Sequence, residues 1–224
     1  RDLKLLYEGA ALPPASSYST HLKLWDEAST EEAFSFWRET LQGSSISRID
    51  NASFGDTSCS DSGFSTASRV VDVTNNAPSS ITIATVVKVA WSIVLASISG
   101  RHDVVFAQTS SGRSHGSSTA KDVVGMCLNF IPVRVRLDPA ATVADLLAFV
   151  QEQHRRSLDH ELLDFRDVVR NATSWPEGIC CQSNLVHQNI EPDLPFAFGE
   201  AEALVTCSYD WPRHPDEILV ESRP

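Results

Sequence analysis

The chain has 224 residues, 42% hydrophobic and 21% charged, an ordinary globular composition that suffices for one large domain or two small ones. Eighteen Lys and Arg against 29 Asp and Glu leave a formal net charge of −11, which disfavours a nucleic-acid partner and is read as a solubility device. No run approaches the ~20 apolar residues that span a bilayer, so no membrane partner is expected.

The opening residues Leu3, Leu5 and Leu6 read as the last turns of a helix, and residues 218–224 as a strand-like run with nothing after it to pair with. Both ends are therefore expected to lie inside a larger protein. Residues 9–18, with Pro13 and Pro14, read as an extended linker, and Ser16 or Ser17 is placed to cap a helix running to about Glu27. Thr30, followed by Glu31 and Glu32, starts a second helix with Phe34, Trp37 and Leu41 on one stripe, ending at Gly43. Residues 44–67 are rich in Ser, Asp, Asn and Gly and are expected to form a mobile loop, followed by a short strand over 69–73.

Residues 80–99 make the clearest helix. Ile83, Val86, Val87, Ala90, Val94 and Ile98 are expected to form its buried face, with Val89, Ile93 and Leu95 nearly as apolar opposite and Lys88 its lone charge. Gly100 ends it. Strands are expected over 103–108 and 128–137, the second alternating Val133, Val135 and Leu137 with Arg134 and Arg136 and held to an edge or a bulge by Pro132. Between them lies a Ser/Gly-rich loop, 109–120. Thr142 caps a helix to about His160, residues 164–171 form a short helix, and 181–187 a further strand. The remainder, with Pro192, Pro195, Pro212 and Pro215, reads as short strands and turns. Strands alternating with long helices indicate an α/β sandwich, with helix 80–99 packed on a sheet built from the strands near 105, 130 and 184.

The five cysteines, Cys59, Cys127, Cys180, Cys181 and Cys207, are odd in number and contain no C-x-x-C pair, which together with the lack of a leader suggests reduced thiols and a cytoplasmic location. The sequons at Asn51 and Asn171 are read as chance. The seven histidines form no H-x-x-x-H group, and adjacent Cys180 and Cys181 suit neither zinc nor an ordinary disulfide, so no metal is expected. Ser114 beside His115 lacks the elbow a serine hydrolase needs. His154 on an apolar stripe reads as a core residue, and His160 as a helix C-terminal cap.

Three segments carry candidate chemistry. The loop Ser111-Gly112-Arg113 leaves a strand end, where open α/β sheets place ligands. Asn129 sits among apolar neighbours in Val124-Gly125-Met126-Cys127-Leu128-Asn129-Phe130, where its amide must find partners or face a cavity. Ser183, Asn184 and Gln188 put polar groups on or beside a strand, to line a channel or to knit to a neighbouring loop.

These segments fall in an order that resembles the condensation domains of nonribosomal peptide synthetases. Tyr18 to Trp25, Phe36-Trp37-x-x-x-Leu41, Ser111-Gly112-Arg113, Val124-Gly125-x-x-x-Asn129, His160-Glu161-x-x-x-Phe165 and the stretch from Trp175-Pro176 to His187-Gln188-Asn189 each resemble a motif of that family, the last in its fungal form, with a terminal condensation-like, cyclising type as an alternative. The resemblance implies a chloramphenicol acetyltransferase-like two-layer sandwich. Residues 1–28 would be the interlobe segment and end of the N-terminal lobe, and 29–224 the C-terminal lobe, incomplete at its C-terminus.

The family's His-His-x-x-x-Asp-Gly motif is absent here, which implies that no catalytic residue lies in this chain and that the N-terminal lobe supplies the proton-handling His. This lobe would supply substrate-tunnel walls from Ser111, Gly112, Arg113, Asn129, Ser183, Asn184 and Gln188. The implied partners are the N-terminal lobe, carrier protein domains bearing phosphopantetheine, and an adenylation domain. The implied reaction joins a nucleophile to a carrier-bound acyl thioester as an amide or an ester. Two other readings are a non-catalytic condensation-like platform that recruits carrier or tailoring proteins, and an acyltransferase of the same fold using coenzyme A.

Overall fold

A computed structural model describes residues 2–12, 14, 16–49, 67, 69–71, 80–114, 123–188, 196–198, 201–203 and 218–222. Its elements are α1 (Asp2–Tyr7), α2 (Tyr18–Glu27), α3 (Glu31–Leu41), α4 (Ile83–Ser99), β1 (Asp103–Ser110), β2 (Asn129–Arg136), α5 (Val143–Ser157) with a 3₁₀ turn (Leu158–His160), α6 (Phe165–Ala172), β3 (Ser183–His187), β4 (Phe196–Phe198), β5 (Ala201–Ala203) and β6 (Ile218–Ser222). Residues 69–71 belong to no strand, against expectation. Most of the expected 44–67 loop, residues 115–120 of the Ser/Gly loop, Asn189 and the proline-rich stretch up to 217 lie outside the described residues or touch them only at β4 and β5.

The helix starts follow local chemistry. The Thr30, Thr82 and Thr142 hydroxyls accept from Ala33, Thr85 and Asp145 N–H, each satisfying a donor that the first turn leaves open. At α5 Asp145 reaches back to Thr142 N–H, completing a capping box. Ser17 holds the N-cap position of α2 without a side-chain bond to it. Gly100 closes α4 in the left-handed region at φ 65°, as the sequence suggests.

The four-stranded sheet runs β2-β1-β3-β6. β1 pairs antiparallel with β2 from Asp103↔Arg136 to Ser110↔Asn129, and parallel with β3 at Ala107↔Asn184. β3 pairs parallel with β6, so the run near 218 does have a partner, an earlier strand rather than a later one. Pro132 sits in β2, an edge strand, where its missing N–H costs no ladder bond. Val104 and Phe106 of β1 join one apolar cluster with α4 and α5, while Val105 joins the other with α3 and α6, as strand alternation requires. α4 lies on the sheet against β1 and β6.

Two expectations about faces are corrected. The buried stripe of α4 is Thr85, Lys88, Val89, Ser92 and Leu95, whereas Ile83, Ile93 and Val94 are exposed. A helix apolar all round carries no phase in its sequence, and the small Ser92 and Thr85 let the backbone come close to its neighbours. Arg134 is buried rather than turned to solvent: it grips Asp103 through Nε and Nη2 at 2.9 and 2.7 Å and donates through Nη1 to the carbonyls of Thr40 and Gln42, tying β2 to β1 and to the end of α3.

Candidate functional site

Strand direction gathers part of the predicted wall at one end of the sheet. β1, β3 and β6 run the same way, and antiparallel β2 begins where they finish. The Ser111-Gly112-Arg113 loop after β1, Asn129 at the head of β2 and Gln188 after β3 therefore share one edge, the carboxyl edge where open α/β sheets bind ligands. Asn184 is level with Ala107, three residues back from Ser110, or about 10 Å down the strand. Ser183 lies one step farther and is buried, its hydroxyl accepting from Trp91 Nε1 at 2.6 Å. Asn184 exchanges bonds with Thr109 Oγ1 at 3.1 and 3.3 Å. Gln188 is half-buried, its N–H donating to Ser222 O at 2.9 Å.

The edge is held by a closed polar cluster. Asn129 is buried and its Nδ2 donates to the carbonyls of Glu161 and Leu163 at 2.7 and 2.9 Å, while its Oδ1 accepts from Phe130 N–H at 2.8 Å. Glu161 is fully buried, its carboxylate accepting from the Ser110 hydroxyl and from Ser114 N–H. The turn after α5, the end of β1 and the start of β2 are thus fixed to one another by side chains with every named polar atom paired, which is what burial of such groups demands.

Glycines set the spacing. Gly112 has φ 61°, and a Cβ there would stand 1.9 Å from the carbonyl oxygen of Cys127, so only Gly lets the two segments touch. Gly125 lies beneath the Tyr18 ring, which a Cβ would meet at 2.5 Å. The Tyr18 hydroxyl donates to Met126 O at 2.7 Å, and Arg113 donates to the carbonyls of Val123 and Gly125 at 2.9 and 3.3 Å. Residues 123–128 are therefore clamped from both sides, yet Val124, Met126 and Leu128 remain exposed, alternating with buried Val123 and Cys127. The segment is thus held firmly while three apolar side chains face outward.

His21, next to Tyr18 on α2, is buried, and burial with Arg113 nearby holds its pKa below the usual imidazole range. His187 is likewise lowered by burial and then by Lys88, and its Nδ1 shares a 2.8 Å bond with Ser222 Oγ. Glu161 was visible as a motif residue, but its role as the hub was not: its partner Ser110 is 51 residues away. Tyr18 was visible as a motif residue, but its place over Gly125 was not. Among the described residues no group of three His, Cys, Asp or Glu could hold a metal, and no described helix is long and apolar enough to cross a membrane.

Comparison with known proteins agrees with this architecture. The model of the condensation domain family matches residues 1–193. The nonribosomal peptide synthetase nlsA of Emericella nidulans is 35% identical over 189 residues, covering 84% of this chain and 3% of that protein. Its counterpart chyA of Penicillium rubens is 34% identical over 238 residues, covering 96% and 10%. The chain thus spans only a small part of the curated relatives it matches. A crystal structure of a protein named CT superposes with a TM-score of 0.79 at 29% identity, over all of this chain and 50% of that one. The first condensation domain of the CDA synthetase shares the fold, with a TM-score of 0.60 at 16% identity over 89% and 45%. The mixed sheet with its helices is the chloramphenicol acetyltransferase-like sandwich of these structures, and the chain belongs to the condensation domain family of nonribosomal peptide synthetases.

Proposed function

We propose that this chain supplies one wall of a condensation cleft in which a nucleophile attacks an acyl thioester, and that a partner lobe supplies the imidazole that takes the proton. Residues 1–28 serve as the interlobe connection and 29–224 as the C-terminal lobe. In the reaction the nucleophile's nitrogen or oxygen bonds to the acyl carbon, the carbon–sulfur bond breaks, and the thiol leaves with a proton. The observation that carries this reading is the clamped edge: loop 110–114 and segment 123–128 are fixed by Glu161, Asn129, Arg113 and Tyr18 while Ser111, Val124, Met126 and Leu128 stay exposed.

A rigid wall of this kind favours catalysis by holding two tethered reactants together, an effect worth several kcal/mol. Asn129 and Glu161 act as positioning residues, since their polar atoms are turned to the protein itself. Ser111 and Gln188 are the wall residues with side chains left to meet substrate. Carrier domains would bring the acyl group as a thioester on phosphopantetheine. The exposed hydroxyl and apolar side chains suit the amides and methylenes of such an arm. The Arg113 guanidinium is engaged by backbone carbonyls, so the arm's phosphate falls to the carrier or to the other lobe.

The test is reconstitution. The chain alone is expected to give no turnover with carrier-loaded substrates, and the chain joined to its N-terminal half to form amide or ester product. Turnover by the isolated chain refutes the shared cleft. Equal turnover with free acyl-coenzyme A replaces the carrier with a soluble donor, and binding of carriers without product by the joined halves assigns a platform role.

A further inference from the structure

A second polar cluster lies behind the first, and its partners are missing. Lys88 of α4 is 1% exposed, and its ammonium has no hydrogen-bond or ion-pair partner among the described residues. Gln108 of β1 is 8% exposed with Oε1 unpaired, and Trp37 of α3 is 1% exposed with its indole N–H unpaired. All three line one small cavity, together with His154 of α5. Buried polar groups of this kind are nearly always paired, with protein or with water. Two unpaired atoms, the Trp37 indole N–H and the Gln108 amide oxygen, stand around one space that the Lys88 side chain also lines, and together they identify what is missing.

The geometry points to a single buried water in this cavity, accepting from Lys88 Nζ and Trp37 Nε1–H and donating to Gln108 Oε1. The interior, about 10 Å³, is close to the space one water centre needs, about 10–15 Å³, and three polar partners are the usual number for such a site. Water suits the set because it both accepts and donates, whereas an anion could answer the two donors but not the amide oxygen. A larger ligand does not fit. The charged and titratable groups that face Lys88 are His154 from α5 and His187 from β3, and both feel its charge. Among the described residues no carboxylate influences it, and burial pushes its pKa down to about 7. The water would be the polar contact that lets α4 carry a lysine against the core. The site is independent of the proposed reaction.

The test is a crystal structure of the intact condensation domain at a resolution that orders solvent, collected with and without a bromide soak. One solvent peak within about 2.7–3.2 Å of Lys88 Nζ, Trp37 Nε1 and Gln108 Oε1, without anomalous signal from bromide, is expected. An empty cavity, or bromide in it, overturns the assignment. In solution the Trp37 indole proton is expected to show cross-relaxation with a long-lived water. That signal should vanish in Gln108→Leu, whose methyl groups remove the acceptor and fill the space. Its absence in the unsubstituted protein, or its persistence in the variant, counts against the site. Should the variant fail to fold, the crystal and the unsubstituted protein decide alone.

Discussion

The two polar clusters flanking β1 differ in one respect. Around Asn129 and Glu161 every named polar atom has a protein partner. Beside Lys88, the Gln108 amide oxygen and the Trp37 indole N–H have no partner among the described residues, and a cavity lined by all three side chains stands there. The anchors are only two residues apart on the strand, Ser110 for the closed cluster and Gln108 for the open one. The closed cluster converts burial into fixed geometry, because each broken bond leaves a stranded group. The open cluster holds a charge that burial opposes, so removing the charge relieves the core. Truncation should therefore destabilise one and stabilise the other.

The largest effect is expected for Asn129→Ala, which strands two carbonyls and an N–H and should cost about 3–5 kcal/mol in urea unfolding of the intact domain. A cost under about 1 kcal/mol would mean the cluster is not closed. Gly112→Ala forces a Cβ onto the Cys127 carbonyl in a left-handed conformation and should cost about 3 kcal/mol. Gly178→Ala is the control, with a similar positive φ and open space, and should lose only about 1 kcal/mol.

Lys88→Met should act in the opposite direction. Burial pushes the Lys88 pKa down to about 7, from the ordinary 10.5 of the unfolded chain. Between those values the unfolded state binds the extra proton, so stability rises with pH, by up to about 1.4 kcal/mol per unit, and the burial cost is present in full below pH 7. The variant should be more stable than the parent at pH 7 and should lose this slope, as read from unfolding midpoints across pH 7 to 10. His154, pushed down to about 4 by burial and then by Lys88, adds a separate slope of the same sign between pH 4 and 6.5. His154→Gln should flatten that acid window and leave the alkaline one intact. The smallest change is expected for Glu161→Gln. The Ser110 hydroxyl can turn to accept from the new amide, so the loss should be about 1 kcal/mol, with turnover of the joined domain nearly kept. A collapse of turnover would move Glu161 from positioning into the chemistry.

Much of the fold was legible because its signals are local. The Thr30 and Thr142 caps, the closing Gly100, the β-branched strands at 105 and 133, and Pro132 at an edge each rest on chemistry within a few residues. The strand end carrying Ser111-Gly112-Arg113 was legible for the same reason. The buried face of α4 was not, because apolar side chains on all sides give no preferred direction. Arg134 alternates like a surface residue and is buried because Asp103 and two helix-end carbonyls lie in reach. Ser183 and Asn184 read as wall residues like Gln188, yet lie farther down the strand, because place along a sheet depends on register with other strands.

The amino-acid order by itself determined where the long helices and the strands of the main sheet form, residues 69–71 excepted as a strand that does not, and the ordered motifs that resemble one family. These follow from backbone preference and spacing along the chain. Tertiary structure alone decided that Glu161 holds Ser110 across 51 residues, that Tyr18 covers Gly125, and that Lys88 faces an unpaired indole and amide. Such pairings depend on how distant segments pack in three dimensions, and no periodicity in one segment encodes what another will bring against it.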